Sequence, residues 1–411
     1  MLQQRPVLEL AKRTIYARVA KSLVAIIALK IGETLVLLET RRFALLGCFV
    51  GLGLVPARAG TFTTLYSFTA GNDGAEPVGG VIYRNGALYG TATQGGAYGA
   101  GTVFEIDAST GSETTLHTFP GALPDGDDPS TGLLYLGGYL YGSTITGGVG
   151  DGDLFKLNAR SGAERIIYSF QSGPYEVFPT NVVYANGALY GATFYTTDGQ
   201  YGSVFKFDLK TGQETTLYAF AGGTDGGNPA QVIYDRGILY GVTLSKGASG
   251  AGTLFSIDPS TGAETTLHAF GSGRDGQIPE GLVEDHGVLY GTSRAGGNAN
   301  FGAVFKYVPT SGDESTLYSF AGGNDGCNPF TGPVIYKDHL YGSTEACGGN
   351  QNGGTLFSVG LASGKETTLY RFPAGVSQGG AGALAVISGT LYGTTESGGS
   401  SYVGSVFKYV Q

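Results

Sequence analysis

The stretch GALYGTATQGGAYGAGTVFEIDASTGSETTLHTF, from Gly86 to Phe119, contains three short apolar segments separated by turns. The segments LYGTAT, TVFEID and ETTLHTF are rich in Leu, Val, Tyr, Phe and Thr, and Gly, Asp or Ser residues lie between them. A fourth segment, GGVIY, precedes them on the other side of the Asn85-Gly86 turn. Four segments of this length, without a 3.6-residue period, predict a meander of four antiparallel strands.

This unit recurs along the chain. Leu-Tyr-Gly occurs with its tyrosine at Tyr89, Tyr141, Tyr190, Tyr240, Tyr290, Tyr341 and Tyr392. The copies follow one another about every 50 residues, which is typical of repeat architectures, and repeated four-stranded sheets are the form of a β-propeller. We therefore predict an all-β protein, a seven-bladed β-propeller with four antiparallel strands per blade. An open β-solenoid is the alternative, but it should have atypical terminal copies.

The two ends of the repeat region predict how the ring closes. The segment TFTTLYSF, from Thr61 to Phe68, is of the fourth type, and the chain stops at Gln411 directly after a segment of the third type. We expect the N-terminal strand to complete the last blade.

The repeated motifs Leu-Tyr-Gly-[TSAV]-[TS], Gly-Gly and Gly-[ST]-[VL]-Phe resemble the bacterial GloVer-type tandem repeats, over Thr61 to Gln411. This resemblance implies a secreted propeller and no established activity. Members often add a C-terminal anchoring module, and because none follows here we expect release rather than attachment. The pattern is also similar to kelch and pyrroloquinoline quinone propeller repeats. The quinone enzymes stack Trp on their cofactor, and this chain has no Trp, so we expect no cofactor.

Residues 1–59 differ from the repeats. They hold nine Lys or Arg against three acids, and Arg41-Arg42 precede the apolar run from Phe43 to Val55 and an Ala57-x-Ala59 pattern. Basic, apolar and small residues in this order predict a signal peptide cleaved after Ala59. We expect an N-terminal extension with this signal over 1–59, a propeller over 60–411, and a secreted or periplasmic location. An uncleaved anchor and lipidation at Cys48 are the alternatives.

After cleavage, 15 Lys and Arg would face 30 Asp and Glu. Such an acidic surface repels phosphate backbones and anionic headgroups. We therefore expect no nucleic-acid partner, no membrane contact after signal cleavage, and a monomer that binds a glycan or a protein.

One side of a propeller carries two kinds of loop: those from a fourth strand to the next first strand, and those from a second to a third strand. We call this side the candidate face, because ligands usually bind where long loops gather. Five of the former loops contain Asp-Gly followed by Pro, at Asp73, Asp125, Asp225, Asp275 and Asp325. These carboxylates either hold a cation or sugar, or cap their own turns. Recurrence in five blades favours turn capping.

Three cations fall in candidate-face loops of two neighbouring copies: Lys246, Arg274 and Arg294. With Asp275 they are our candidate ligand-binding residues, because a cation cluster suits the carboxylate or sulfate of an acidic glycan. Three unrelated solvated side chains are the alternative. Loop aromatics could stack on sugars, anchor a protein partner or simply cover blade edges, and they lie at Tyr98, Tyr195, Tyr201, Phe301 and Tyr402.

Catalytic signals are weak. His117 and His268 stand where other copies have Tyr, no His pair has metal-ligand spacing, and no G-x-S-x-G motif occurs. We assign no catalytic or metal-binding residue and predict a non-catalytic binding scaffold. A polysaccharide lyase or hydrolase on the same face is the alternative, because two carboxylates need only meet in space.

Two cysteines remain after signal cleavage. Cys327 lies in an Asp-Gly loop, and Cys347 follows the second strand of the same copy. Both therefore belong to the candidate face of one blade, and we predict a Cys327–Cys347 disulfide, which fits an oxidising compartment.

Overall fold

The computed structural model describes residues 60–122, 125–147, 150–170, 177–196, 200–271, 273–330, 332–349, 352–374 and 384–411. The expected extension and signal, with Cys48, lie outside these residues. Within them the regular structure is β-strand, and no helix has the length and apolar character needed to cross a bilayer.

The described strands form seven antiparallel sheets, numbered here as blades. Blade 1 contains β2 (Val81–Arg84), β3 (Ala87–Ala92), β4 (Thr102–Asp107) and β5 (Glu113–Thr118). Blade 2 contains β7 (Leu134–Leu136), β8 (Tyr139–Thr144), β10 (Asp153–Asn158) and β11 (Glu164–Ser169), beside a ribbon of β6 (Gly126–Asp127) and β9 (Thr146–Gly147). Blade 3 contains β12 (Val183–Ala185), β13 (Ala188–Thr193), β14 (Ser203–Asp208) and β15 (Glu214–Ala219).

The remaining blades repeat this order. Blade 4 contains β16 (Gly227–Asp235), β17 (Ile238–Ser245), β18 (Thr253–Ile257) and β19 (Glu264–Ala269). Blade 5 contains β20 (Gly276–Asp285), β21 (Val288–Gly296), β22 (Ala303–Val308) and β23 (Asp313–Ser319). Blade 6 contains β24 (Cys327–Pro329), β25 (Val334–Tyr336), β26 (His339–Ala346), β27 (Thr355–Gly360) and β28 (Glu366–Arg371). Blade 7 contains β29 (Ala385–Ile387), β30 (Thr390–Thr395), β31 (Ser405–Val410) and β1 (Thr61–Ser67).

The ring closes between the two ends of the repeat region. Strand β1 pairs antiparallel with β31, from Thr61 opposite Val410 to Ser67 opposite Ser405. The first strands of neighbouring blades contact one another, as β16 contacts β12 and β20, and β2 contacts β29 and β7. First strands therefore surround the centre, and fourth strands lie outermost. The predicted seven-bladed propeller and its closure by the N-terminal strand are confirmed.

Paired phenylalanines hold neighbouring blades together. The ring of Phe220, after the fourth strand of blade 3, meets that of Phe255, in the third strand of blade 4, with centroids 5.0 Å apart and a T-shaped arrangement. Equivalent pairs, all at 4.9–5.7 Å, are Phe68–Phe104, Phe119–Phe155, Phe170–Phe205, Phe270–Phe305, Phe320–Phe357 and Phe372–Phe407. These rings are almost wholly buried, and such edge-to-face pairs add to the free energy gained by burying apolar area.

The predicted disulfide is confirmed. Cys327 in β24 and Cys347 after β26 are joined, with their Cα atoms 5.4 Å apart. Strand β24 pairs with β26, and Cys327 lies opposite Ala346, so strand register alone brings the two sulfurs together.

Candidate functional site

The aspartates of the Asp-Gly loops turn back into their own loops. The Asp225 carboxylate accepts hydrogen bonds from the Ala221 amide at 2.7 Å, the Gly223 amide at 2.9 Å and the Tyr218 hydroxyl at 3.1 Å. The carboxylates of Asp73 and Asp325 accept equivalent bonds from Tyr66 and Tyr318 and from backbone amides. A carboxylate engaged in this way caps a turn, which favours the structural interpretation of these loops.

Before two of these loops, the fourth strand carries a histidine instead of the tyrosine. His117 Nε2 lies 3.1 Å from Asp125 Oδ2, and His268 Nε2 lies 3.1 Å from Asp275 Oδ2. A glutamate from the fourth strand of the next blade joins each pair, so that ligand atoms of all three side chains lie within 4.8 Å of one another. We call His117–Asp125–Glu164 the first His cluster and His268–Asp275–Glu314 the second His cluster.

Sequence reasoning missed both clusters. The histidine and the aspartate of each cluster are close in the chain, whereas its glutamate comes from the following copy of the repeat. The available signal was the replacement of tyrosine by histidine at His117 and His268, in a position next to a recurrent Asp and a recurrent Glu.

A second group of carboxylates lies nearer the centre, at the candidate-face ends of inner strands. We call it the inner carboxylate cluster, and its members are Glu76, Asp128, Glu280, Glu345 and Glu396. Glu76 and Asp128 precede the prolines that lead into first strands, and Glu280 belongs to the innermost strand of blade 5. Sequence reasoning did not select any of these residues, because they do not share one repeat position.

Burial raises the pKa of several members of this cluster. It raises the pKa of Glu280 to about 8 and those of Glu396 and Asp128 to about 7, and neighbouring carboxylates add to each shift. Glu345 acts on both Glu280 and Glu396, and Glu76 acts on both Glu396 and Asp128. Grouped carboxylates with raised pKa values are a frequent property of functional sites.

The three predicted cations do not form one cluster in the described residues. Arg294 donates from Nη2 to Glu345 Oε2 at 2.6 Å, and its guanidinium lies 4.6 Å from the centre of the Phe330 ring. Lys246 Nζ lies 4.8 Å from the centre of the Tyr201 ring. Arg274 is exposed, and its carbonyl accepts a bond from the Thr316 hydroxyl.

Asp275, the fourth candidate ligand-binding residue, is also engaged locally. It accepts bonds from the amides of Gly271 and Gly276, both at 2.8 Å, and contacts His268. Lys246 thus contacts an aromatic ring, and Arg294 contacts both an aromatic ring and a carboxylate.

Two tyrosines are strongly exposed on the candidate face of neighbouring blades. Tyr98 in blade 1 is 69% exposed and Tyr402 in blade 7 is 74% exposed. The carbonyl of Val403 accepts a hydrogen bond from the Glu76 amide at 2.8 Å. Gln94, in the loop that carries Tyr98, donates from Nε2 to Glu76 Oε2 at 2.7 Å. The loops of both exposed tyrosines therefore contact Glu76 of the inner carboxylate cluster.

A cavity of about 490 Å³ opens elsewhere, between blades 6 and 7 on the opposite face. Tyr336, Lys337, His339 and Ser388 contribute to its wall, and none of its lining residues has a carboxylate side chain. It lacks the acid pair that glycoside chemistry needs.

Comparisons with known proteins agree with this architecture. The sequence model described as the Gloeobacter/Verrucomicrobia repeat matches residues 54–238, 149–352 and 230–407. No curated protein matches the chain.

Among solved structures, an oligogalacturonate lyase in complex with manganese is similar, with 13% identity, a TM-score of 0.57, and coverage of 85% of this chain and 92% of that one. An oligogalacturonate lyase from Vibrio parahaemolyticus has 11% identity, a TM-score of 0.57, and coverage of 86% and 94%. At sequence identities this low, the similarity to these structures shows a shared fold alone.

Proposed function

Since this chain belongs to the Gloeobacter/Verrucomicrobia repeat family, we propose that it is a secreted or periplasmic binding scaffold whose candidate face holds a glycan. The observation that carries the proposal is the pair of exposed tyrosines, Tyr98 and Tyr402, on loops that contact Glu76 of the inner carboxylate cluster. Tyrosine rings offer flat apolar surfaces to the C–H faces of sugars, and carboxylates accept hydrogen bonds from sugar hydroxyls.

The charge of the site bears on the kind of glycan. Glu76, Glu345 and Glu396 lie near one another, and the nearby Arg294 is already paired with Glu345. An anionic sugar would meet repulsion here, whereas a neutral glycan would find hydrogen-bond acceptors. This differs from the acidic glycan that Lys246, Arg274 and Arg294 suggested from sequence.

Location rests on separate support. The structure contains the Cys327–Cys347 disulfide. Disulfides form and persist in oxidising compartments and are rare in a reducing cytosol. This agrees with export by the signal expected within residues 1–59.

The test is a binding screen of the purified chain against neutral and uronate-containing polysaccharides, followed by affinity measurement on the best ligand. Replacing both Tyr98 and Tyr402 by Ala should weaken binding about tenfold or more, because each stacked ring contributes about 0.5–1.5 kcal/mol. Tyr184→Ala is the matched control, because Tyr184 is an exposed tyrosine (42%) near a first-to-second turn on the opposite face. Unchanged affinity in the double variant, or binding of a protein but of no polysaccharide, would contradict the proposal.

A second candidate function is a carbohydrate-active enzyme. The raised pKa values of Glu280 and Glu396 favour it, because a carboxyl group that keeps its proton near neutral pH can act as a general acid. The similar oligogalacturonate lyases supply the first substrate class to try. Incubation with polygalacturonate and with neutral polysaccharides, assayed for new chain ends, decides between the two functions. New ends that disappear in Glu280→Gln would support the enzyme, and intact chains support the scaffold.

A further inference from the structure

The outermost strand of each blade carries Tyr or His two residues before its buried phenylalanine. Tyrosine occupies this position at Tyr66, Tyr168, Tyr218, Tyr318 and Tyr370, and histidine occupies it at His117 and His268. Where the next loop contains an aspartate, the tyrosine hydroxyl donates to it, as Tyr218 does to Asp225. A neutral imidazole can bind a metal ion through a ring nitrogen, so the two His positions differ chemically from the rest.

The glutamates at these two positions also differ from their counterparts. Where the glutamate faces a tyrosine–aspartate pair of the preceding blade, its Oε1 accepts a bond from the threonine two residues later, as in the pairs Glu113–Thr115 (2.9 Å), Glu264–Thr266 (3.0 Å) and Glu366–Thr368 (2.9 Å). In the His clusters this bond is missing. Oε1 of Glu164 and Oε1 of Glu314 are buried without a hydrogen-bond partner.

These two oxygens are free for different reasons. Ile166 replaces the threonine after Glu164, so no hydroxyl is present. Thr316 follows Glu314, but its hydroxyl donates to the Arg274 carbonyl at 3.0 Å. Histidine and an unpaired glutamate oxygen therefore occur together, in both clusters.

The first His cluster has a further buried carboxylate nearby. Asp153 is wholly buried, and both of its oxygens lack a donor at hydrogen-bonding geometry. Burial raises the pKa of this carboxyl group to about 6, and the nearby Ser169 hydroxyl offsets part of the shift. Other blades have a neutral residue at this position: Thr102, Ser203, Thr253, Ala303, Thr355 and Ser405. Asp153 lies in β10, which pairs with the strand β11 that carries Glu164. Burial raises the pKa of Glu164 to about 8, and the charges of Asp125 and Asp153 add to this shift.

Three carboxylates in a partly buried site repel one another unless a proton or a cation joins them. We propose that the first His cluster, together with Asp153, binds a divalent transition-metal ion of the zinc class. Histidine nitrogen and carboxylate oxygen are zinc ligands at about 2.0–2.2 Å, so ligand atoms around a tetrahedral ion lie about 3.4 Å apart. The His117–Asp125 separation of 3.1 Å is close to this value.

An imidazole ligand distinguishes this class of ion from calcium and magnesium, which take oxygen ligands. The second His cluster has the same three ligands, but Ala303 stands where blade 2 has Asp153. It therefore forms a weaker site of the same kind.

The test measures zinc binding to the purified chain by calorimetry and by metal content after dialysis. His117→Tyr installs the residue that five other blades use at this position, so the fold should be retained while the tightest site is lost. Asp153→Thr, again the residue of other blades, should weaken that site about tenfold or more. His268→Tyr should leave the tightest site unchanged.

His286→Ala with His339→Ala is the matched control: His286 lies in a first-to-second turn and His339 begins the second strand after such a turn, on the face opposite both clusters. Loss of the tightest site in His117→Tyr alone, with the control unchanged, supports the proposal. The proposal is overturned if the wild-type chain binds no zinc, or if His117→Tyr binds it as tightly as the wild type. Neither result depends on whether a glycan binds.

Discussion

At the scale of residues, the glycine of Leu-Tyr-Gly is required by space rather than by backbone conformation. A Cβ at Gly291 would lie 2.3 Å from Cζ of Phe305 and 2.7 Å from the carbonyl oxygen of Gly281. Gly291 lies directly opposite Phe305 in the strand pair, so the aromatic ring covers the glycine. The same contact recurs in all seven copies, and it explains why Gly and Phe repeat together.

We predict that Gly291→Ala lowers the free energy of unfolding by about 1–3 kcal/mol, the usual penalty for overpacking a buried site. Urea unfolding of the two proteins measures it. Gly323→Ala is the matched control, because a Cβ at Gly323 meets nothing within 4 Å. Equal stability of the Gly291 and Gly323 variants would contradict this account of the motif.

At the scale of elements, the entrance to blade 6 is held by a covalent bond as well as by strand pairing. Strand β24 is short, with three residues, and pairs with one end of β26. The disulfide closes a segment with a sequence separation of 20 residues. It limits the freedom of the unfolded chain over this segment.

We expect reduction of the disulfide to lower the free energy of unfolding by about 3 kcal/mol, from the loop-closure entropy of a segment of this length. The measurement is urea unfolding with and without a phosphine reductant. A variant with Cys327→Ser and Cys347→Ser should resemble the reduced protein and should not respond to the reductant. A wild-type curve unchanged by reductant would show that strand pairing alone holds this element.

At the scale of the whole molecule, stability depends on a closed series of blade junctions. The junction between blades 7 and 1 uses Phe68, at the end of β1, against Phe104, at 5.0 Å. Phe62, earlier in the same strand, stacks on Tyr370 of blade 6 with ring centroids 4.1 Å apart. The N-terminal strand thus contacts the blades on both sides of it.

We predict that Phe68→Ala lowers the free energy of unfolding, measured in urea, by about 3–5 kcal/mol. Phe220→Ala at an internal junction should lower it by as much, because both substitutions remove a fully buried ring. Thr64→Ala, an exposed position in the same strand, is the control and should have little effect. A Phe68 variant as stable as the Thr64 variant would mean that the closing junction contributes nothing to stability.

The sequence by itself determined the strands, the seven blades, the closure by Thr61–Ser67 and the Cys327–Cys347 pairing. Each depends on local rules: strands follow from apolar segments between turns, and ring closure follows from counting segment types along the chain. The disulfide followed because both cysteines belong to one blade, where register relates positions that are close in the chain.

Only the tertiary structure decided which side chains meet between blades. Glu164 approaches His117 and Asp125, and Arg294 pairs with Glu345, across 39 to 51 residues of chain. Such contacts depend on how one blade is staggered and turned against the next, and the repeat period carries no information about that angle. The predicted cations Lys246 and Arg294 contact side chains of neighbouring blades, Tyr201 and Glu345, and the His clusters likewise form only where two blades pack together.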